Sequence, residues 1–334
     1  MTEASTATSM VSMVGARPRA GSGAQIELLF EDQELRWSRS AVRCAPTRSV
    51  IGPSLTDTIL PNTVGRPWPD GDPVAEPPFE VAPIAIGTRT SNSRSANPKS
   101  TMRFMALCDG YSWSIAEQAR DRVVVTHTLH PQDGGPLLLD LRIEHKLGQR
   151  GLSIRTTATN AGAEPAPYGA GAHPYLTLGT ATIDELVLQA PGTRWTPLDD
   201  FGIPAGSQPV TGTEYDVLVA RRIGSTQLDT GYTELERDEA GLTHVTLNNV
   251  DPGTFIRLWM DHPYRFLMLF TGDSLLTADR RRRGLGIGPM TCAPNALQSE
   301  EGLRTLKPGE SCTSMWGTSS GAKTPATSEG SINV

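Results

Sequence analysis

The stretch LLLDLRIEHKLGQRGLSIRTTATNAG, residues 137–162, decides how this chain is read. In its first half Leu139, Leu141 and Ile143 alternate with Asp140, Arg142 and Glu144. Successive side chains of an extended backbone point to opposite faces, so this period marks a strand with one buried face. The second half, LSIRTTATNAG, is rich in β-branched residues and ends on small turn formers. Runs of the same kind recur on both sides: DRVVVTHTLH at 121–130, IDELVLQA at 183–190, HVTLNNV at 244–250, TFIRLWM at 254–260 and YRFLMLFTGD at 264–273. Gly, Pro and Asp separate them, and no segment sustains a 3.6-residue period. Many short strands joined by turns predict an all-β, antiparallel sandwich.

Composition narrows the function. Of 334 residues, 37% are apolar and 20% charged, with 33 Gly and 26 Pro, a balance that favours turns over long helices. A net charge of -6 argues against a nucleic-acid or membrane-surface partner, either of which needs a concentrated basic face. The basic run Arg280 to Arg283 reads as a solvated turn. Cys44, Cys108, Cys292 and Cys312 show no C-x-x-C pairing and read as free thiols in a reducing, cytoplasmic compartment. No apolar run reaches membrane-spanning length, and the N-terminus lacks the pattern of a signal peptide. The expected organisation is a disordered tail at 1–24, one β domain at 25–318 and a second disordered tail at 319–334. Residues 43–111 stand apart: they are crowded with Pro, Ser and Thr and carry almost no alternation, which is unusual inside a compact domain.

The stretch PYGAGAHPYLTLG, residues 167–179, sets His173 among small residues and aromatics. On its own it reads equally as a hydrogen-bonded turn histidine or as an acid-base group, and Asp229 reads equally as a turn cap. His127 and His130 lie in a strand pattern that sends them to opposite faces, a poor zinc arrangement. The second HPY, His262 to Tyr264, lacks the small-residue run. No dinucleotide fingerprint, P-loop or nucleophile elbow is present.

Taken together, GLSIRTTATN (151–160), TNAGAEPAPYGAGAHPYLTLG (159–179), LDTGYTEL (228–235), PMTCAPNA (289–296) and LKPGESCTSMWG (306–317) resemble the aldose 1-epimerases, or mutarotases, of the bacterial branch. The order and spacing fit over roughly 112–318. The resemblance implies a galactose mutarotase-like β-supersandwich that interconverts the α and β anomers of a free hexose such as galactose or glucose. It implies no cofactor and no metal, and a monomer or weak dimer. By resemblance His173 is the general acid, Pro174 and Tyr175 shape its pocket, and Asp229 holds sugar hydroxyls. The family's base is a Glu in an E-P-M-T stretch, and here the stretch reads GPMT, with Gly288 in its place. Glycine accepts no proton, and general-base assistance is worth about 10²- to 10⁴-fold, so a loss in that range is expected. Glu300 and Glu301 follow in a loop with nothing to bring them to the sugar. Two alternatives are a non-catalytic sugar-binding protein of the same fold and a degenerate product without function.

The family's A-x-H-G-L-x-R-W stretch is also missing. Arg89 to Tyr111, back-translated with permitted synonymous codons and read from the third base of each codon, gives DLQLPLGEPEIHNAIHGLVRWL. The Gly at the Met105–Ala106 junction is forced, whereas the His uses a choice among synonyms. Val50 to Ile59 in the same frame gives the family-like DRAILDGYD; residues 65–80 do not recover. The expectation is that about residues 38–111 are translated out of frame, with the frame restored before SWSIAEQ. Such a segment loses the alternation that seats strands on a core, and the sheet edges left behind favour aggregation.

Overall fold

The computed structural model describes residues 24–30, 33–39, 58–59, 113–131, 137–199, 204–251, 253–275 and 278–322. The segment 43–111, apart from Thr58 and Ile59, lies outside the described residues, as do Cys44, Cys108 and the expected tails up to Gly23 and after Ala322.

Strands dominate the described chain, and its α-helix is a single short turn, α1 (Ala296–Ser299). The larger sheet has nine strands in the order β13 (Arg221–Arg222), β10 (Val187–Gln189), β15 (Thr243–Asn249), β16 (Thr254–Met260), β20 (Ser311–Ala322), β7 (Gly151–Asn160), β6 (Leu139–Gly148), β5 (Arg122–Leu129) and β4 (Ser114–Gln118). The smaller has seven: β12 (Gln208–Pro209), β11 (Gly192–Thr196), β14 (Asp229–Leu235), β17 (Phe266–Phe270), β18 (Leu285–Met290), β9 (Tyr175–Leu176) and β3 (Thr58–Ile59). All neighbours pair antiparallel except β3 with β9. Two small ladders complete the set, β1 (Ala24–Phe30) with β2 (Gln33–Arg39), and β8 (Ala166–Tyr168) with β19 (Arg304–Leu306).

The alternation read at 137–147 appears as burial. Leu139, Leu141, Ile143 and Leu147 of β6 point inward while Asp140 and Lys146 are exposed. Val123, Val125, Ile143, Ile154, Ile256 and Leu258 of the nine-stranded sheet meet Leu176, Tyr232, Leu267, Leu269 and Ile287 of the seven-stranded sheet in one hydrophobic cluster. Each buried aliphatic side chain contributes roughly 1.5–3 kcal/mol, so this shared core holds the two sheets together. On the outer face of β4, β5 and β6, Glu117 pairs with Arg122 and Arg142 at 2.7 Å, and Arg122 with Glu144 at 2.8 Å. Thr157 with Thr313 at 3.0 Å and Thr159 with Ser311 at 2.7 Å continue the polar face over β7 and β20.

Three features differ from the sequence expectation. Of IDELVLQA only Val187–Gln189 is strand, because Ile183–Glu185 coils into a 3-10 turn whose first N–H donates to the Arg282 carbonyl at 2.8 Å. The Arg280–Arg283 run is not simply solvated. Arg282 turns inward and donates to Asp184 at 2.6 Å, to Asp273 at 2.8 Å and 3.0 Å, and to the Gly224 and Thr226 carbonyls, so one cation gathers three loops. β20 runs on to Ala322, past the boundary expected at 318, because its last residues pair with Thr254–Ile256. The second HPY is structural. Tyr264 is buried and accepts a bond from Ser314 at 3.2 Å, and Arg237 donates to the carbonyls of His262 and Tyr264.

Candidate active site

β17 and β18 bury Leu267, Leu269, Leu285 and Ile287 in the inter-sheet core. Period two therefore sends Phe266, Met268, Phe270, Gly286, Gly288 and Met290 to the other face of the seven-stranded sheet. There the segment 170–176 runs antiparallel beside β18. Ala172 N–H donates to the Pro289 carbonyl at 3.1 Å and Ile287 N–H to the Pro174 carbonyl at 2.9 Å. Gly171 bridges Met290, and Tyr175 pairs with Gly286. This register sets His173 directly across from Gly288. The bonded pairs lie on either side of it, so His173 and Gly288 form the non-hydrogen-bonded kind of pair, in which Cα atoms approach to about 4.5 Å and side chains are closest. Pro174 and Pro289 have no N–H, and each flanking pair accordingly keeps one bond.

The imidazole leans along β18. It stacks on Tyr175 with ring centroids 4.9 Å apart and meets Phe270 edge-on at 6.2 Å. Its Cε1 lies over Gly286, where an added Cβ would come within 2.8 Å of that atom and 3.2 Å of the Phe270 Cβ. Gly286 is glycine because the ring occupies its side-chain space. Gly288 differs. A Cβ there would sit 3.1 Å from the Met268 Cβ and 3.2 Å from the Ala172 carbonyl oxygen, close contacts that a small shift of the flexible methionine relieves. Position 288 is thus a bare spot beside the imidazole that can take a side chain.

Burial pushes the His173 pKa below 6.5, and its own backbone offsets part of that. Its Nδ1 is buried without a hydrogen-bond partner among the described residues. Cross-strand rows place the remaining candidates. Asp229 pairs with Phe270, Phe270 with Gly286 and Gly286 with Tyr175, so Asp229 and Tyr175 end one row. Thr196 pairs with Gly231, Gly231 with Met268 and Met268 with Gly288, and His173 completes the second row. Asp229 shares the face with His173 but stands three strands away, about 14 Å at the usual strand spacing. Its side chain is solvent-accessible, yet desolvation by its surroundings raises its pKa above 3.8. Glu300 and Glu301 are exposed in the turn after α1, where the Glu301 carbonyl accepts a bond from Ala293 N–H. Cys292, in PMTCAPNA, is a buried free thiol raised to about 11 by desolvation.

The structure therefore brings His173, Tyr175 and position 288 together and sets Asp229 across the same face. Gly286, Met268, Phe270 and Thr196 join them without having been singled out in the sequence. Alternation within FLMLF and LGIGPM shows which residues share a face, but only the pairing of strands distant in sequence shows which face carries His173.

Two antiparallel sheets around one core, with a ring-lined histidine on the outer face of the smaller sheet, define a galactose mutarotase-like sandwich. The family described as Aldose 1-epimerase matches residues 107–316. Uncharacterized protein YihR of Escherichia coli K12 is 28% identical over 199 residues, 59% of this chain and 61% of that protein's length. A galactose mutarotase-like protein from Clostridium acetobutylicum superposes with a TM-score of 0.59 at 17% identity, over 73% of this chain and 78% of the other. Galactose 1-epimerase from Lactobacillus acidophilus NCFM gives 0.52 at 20% identity, over 65% and 68%. The chain belongs to the aldose 1-epimerase family.

Proposed function

We propose that this protein binds a free hexose, such as galactose or glucose, on the face that carries His173, and that it is an anomer-interconverting isomerase whose turnover is impaired at position 288. In the reaction a base takes the proton of the C1 hydroxyl, the C1–O5 bond breaks, and His173 gives a proton to the ring oxygen. The aldehyde rotates about C1–C2, and reclosure on the other face returns both protons. Tyr175 and Phe270 hold the imidazole, and Asp229 accepts hydrogen bonds from hydroxyls away from C1. The single observation that carries this reading is the cross-strand pairing of His173 with Gly288. The two groups the chemistry needs belong side by side, and one of the two positions holds no side chain.

Polarimetry on freshly dissolved α-galactose and α-glucose tests it. The wild-type protein should barely exceed the spontaneous rate. Equal, efficient catalysis by the wild-type protein and by Gly288→Glu would sink the reading. A second reading, a sugar-binding protein without turnover, is favoured by the same glycine, since the aromatic floor and Asp229 remain in place. A sugar-dependent thermal shift with no rate enhancement would identify it.

We also propose that about residues 38–111 are translated out of frame. The family match begins at residue 107, at the end of the stretch whose shifted reading restores the family-like peptide. The alignment to the Escherichia coli relative covers 61% of that protein. The codons of the gene decide this: they either spell the family peptide in the shifted frame or do not. The free thiols Cys292 and Cys312 favour a cytoplasmic location. Among the described residues no helix is long and apolar enough to cross a membrane.

A further inference from the structure

We propose that Thr196 is a specificity-determining residue of the sugar site and reads the hydroxyl on C4, across the ring from the anomeric carbon. The inference rests on the reading of the His173 face as a hexose site. Thr196 ends the row that runs through Gly231, Met268 and Gly288 to His173. A pyranose laid with C1 beside His173 and position 288 covers Met268 and turns its opposite edge towards Gly231. Gly231 has no side chain to fill that space, and its backbone is not in the left-handed region, so the absence of a Cβ is not a requirement of local conformation. A Cβ built there would meet only Thr196 within 4 Å among the described residues, with the Thr196 Cβ at 3.6 Å and Oγ1 at 3.7 Å. Oγ1 is thus aimed over the bare glycine, at the level where the far edge of the ring comes to rest. Thr196 is only partly buried, and β11 pairs on both sides, with β12 and β14, so the hydroxyl is presented from a held strand. Asp229 lies one strand over and two residues along from Gly231's row, so a hydroxyl at this edge meets a donor-acceptor and a carboxylate together. Galactose and glucose differ only in the direction of the C4 hydroxyl. A side chain that reaches C4 from one side favours one of them.

The test is calorimetric titration of the wild-type protein, Thr196→Val and Thr196→Ser with D-galactose, D-glucose and 4-deoxy-D-glucose. Valine keeps the shape and removes the hydroxyl, and one neutral hydrogen bond corresponds to about 2- to 10-fold in affinity. Thr196→Val should weaken the preferred hexose by that factor and narrow the galactose-to-glucose ratio. It should leave 4-deoxy-D-glucose unchanged, and Thr196→Ser should restore wild-type binding. Equal affinities of wild type and Thr196→Val for all three sugars overturn the inference, as does a loss of equal size with the deoxy sugar, which marks a structural role. If the wild-type protein and Gly288→Glu bind none of the sugars, the hexose-site reading itself fails and takes this inference with it.

Discussion

The outer faces of the two sheets solve the same problem in opposite ways. On β4, β5 and β6 the outward positions hold Glu117, Arg122, Arg142 and Glu144, close-packed in ion pairs that water can solvate. On β14, β17 and β18 the outward positions hold Gly231, Gly286 and Gly288 between Met268, Phe270 and Asp229. A face that serves only as a surface is filled with charge, because exposed charge is cheap to solvate. A face that leaves its side-chain space empty and lines the floor with rings is shaped for an occupant. The ring of His173 already fills the space over Gly286, while the spaces over Gly288 and Gly231 stay open.

Substitutions sharpen or break this contrast. The largest effect is expected at position 288. Gly288→Glu should raise the anomerisation rate about 10²- to 10⁴-fold, read by polarimetry, and His173→Asn in that background should remove most of the gain. Full family-like activity from the one substitution would show that residues 38–111 contribute little to the site, contrary to the frame argument. Next comes the core side of the same strands. Leu269→Ala should lower unfolding stability by about 2–5 kcal/mol in urea, while Met268→Ala, one residue away on the open face, should cost less stability and more sugar affinity. A similar stability loss at both would mean that the open face is ordinary core.

A pH effect follows. His145 occupies an inward position of β6, and burial pushes its pKa down to about 4. The unfolded chain takes up this proton near 6.5 and the folded chain only near 4, so stability should fall as pH drops between those values, by roughly 3 kcal/mol at most. His145→Leu should flatten that part of the profile, and an unchanged profile would assign the acid sensitivity elsewhere. A smaller signal belongs to His173, whose imidazole should titrate below 6.5 by NMR in the wild-type protein. It should move upward in Gly288→Glu, since a neighbouring carboxylate favours the charged ring. The smallest effect is expected in the charged face. Glu117→Gln should leave the thermal midpoint nearly unmoved, because exposed pairs are screened by solvent.

Much of the fold was legible in particular segments. TFIRLWM is β16 residue for residue, and the alternation of LLLDLRIEHKL is the burial pattern of β6. β14, β18 and the long β20 were seen as motifs rather than as strands, since LGIGPM and SCTSMWGTSSGA are rich in Gly, Ser and Thr and gain their extended form from neighbours on both sides. His173, Tyr175, Asp229 and the glycine at 288 stood out as residue types in a familiar order. The stacking of His173 on Tyr175 and the inward turn of Arg282 did not, because each depends on a partner far along the chain or on the path of a loop.

The order of residues along the chain determined which side chains are available: one histidine among small residues, one aspartate, and a glycine where a carboxylate would be needed. Period-two alternation also determined which of them share a face of their own strand, because that follows from backbone geometry alone. Only the tertiary structure decided that the 170–176 segment lies against β18 in the register that sets His173 opposite Gly288, and that Thr196 leans over Gly231. Register between strands is chosen by the fit of the whole inter-sheet core, and a slip of one residue would turn these side chains to the other face.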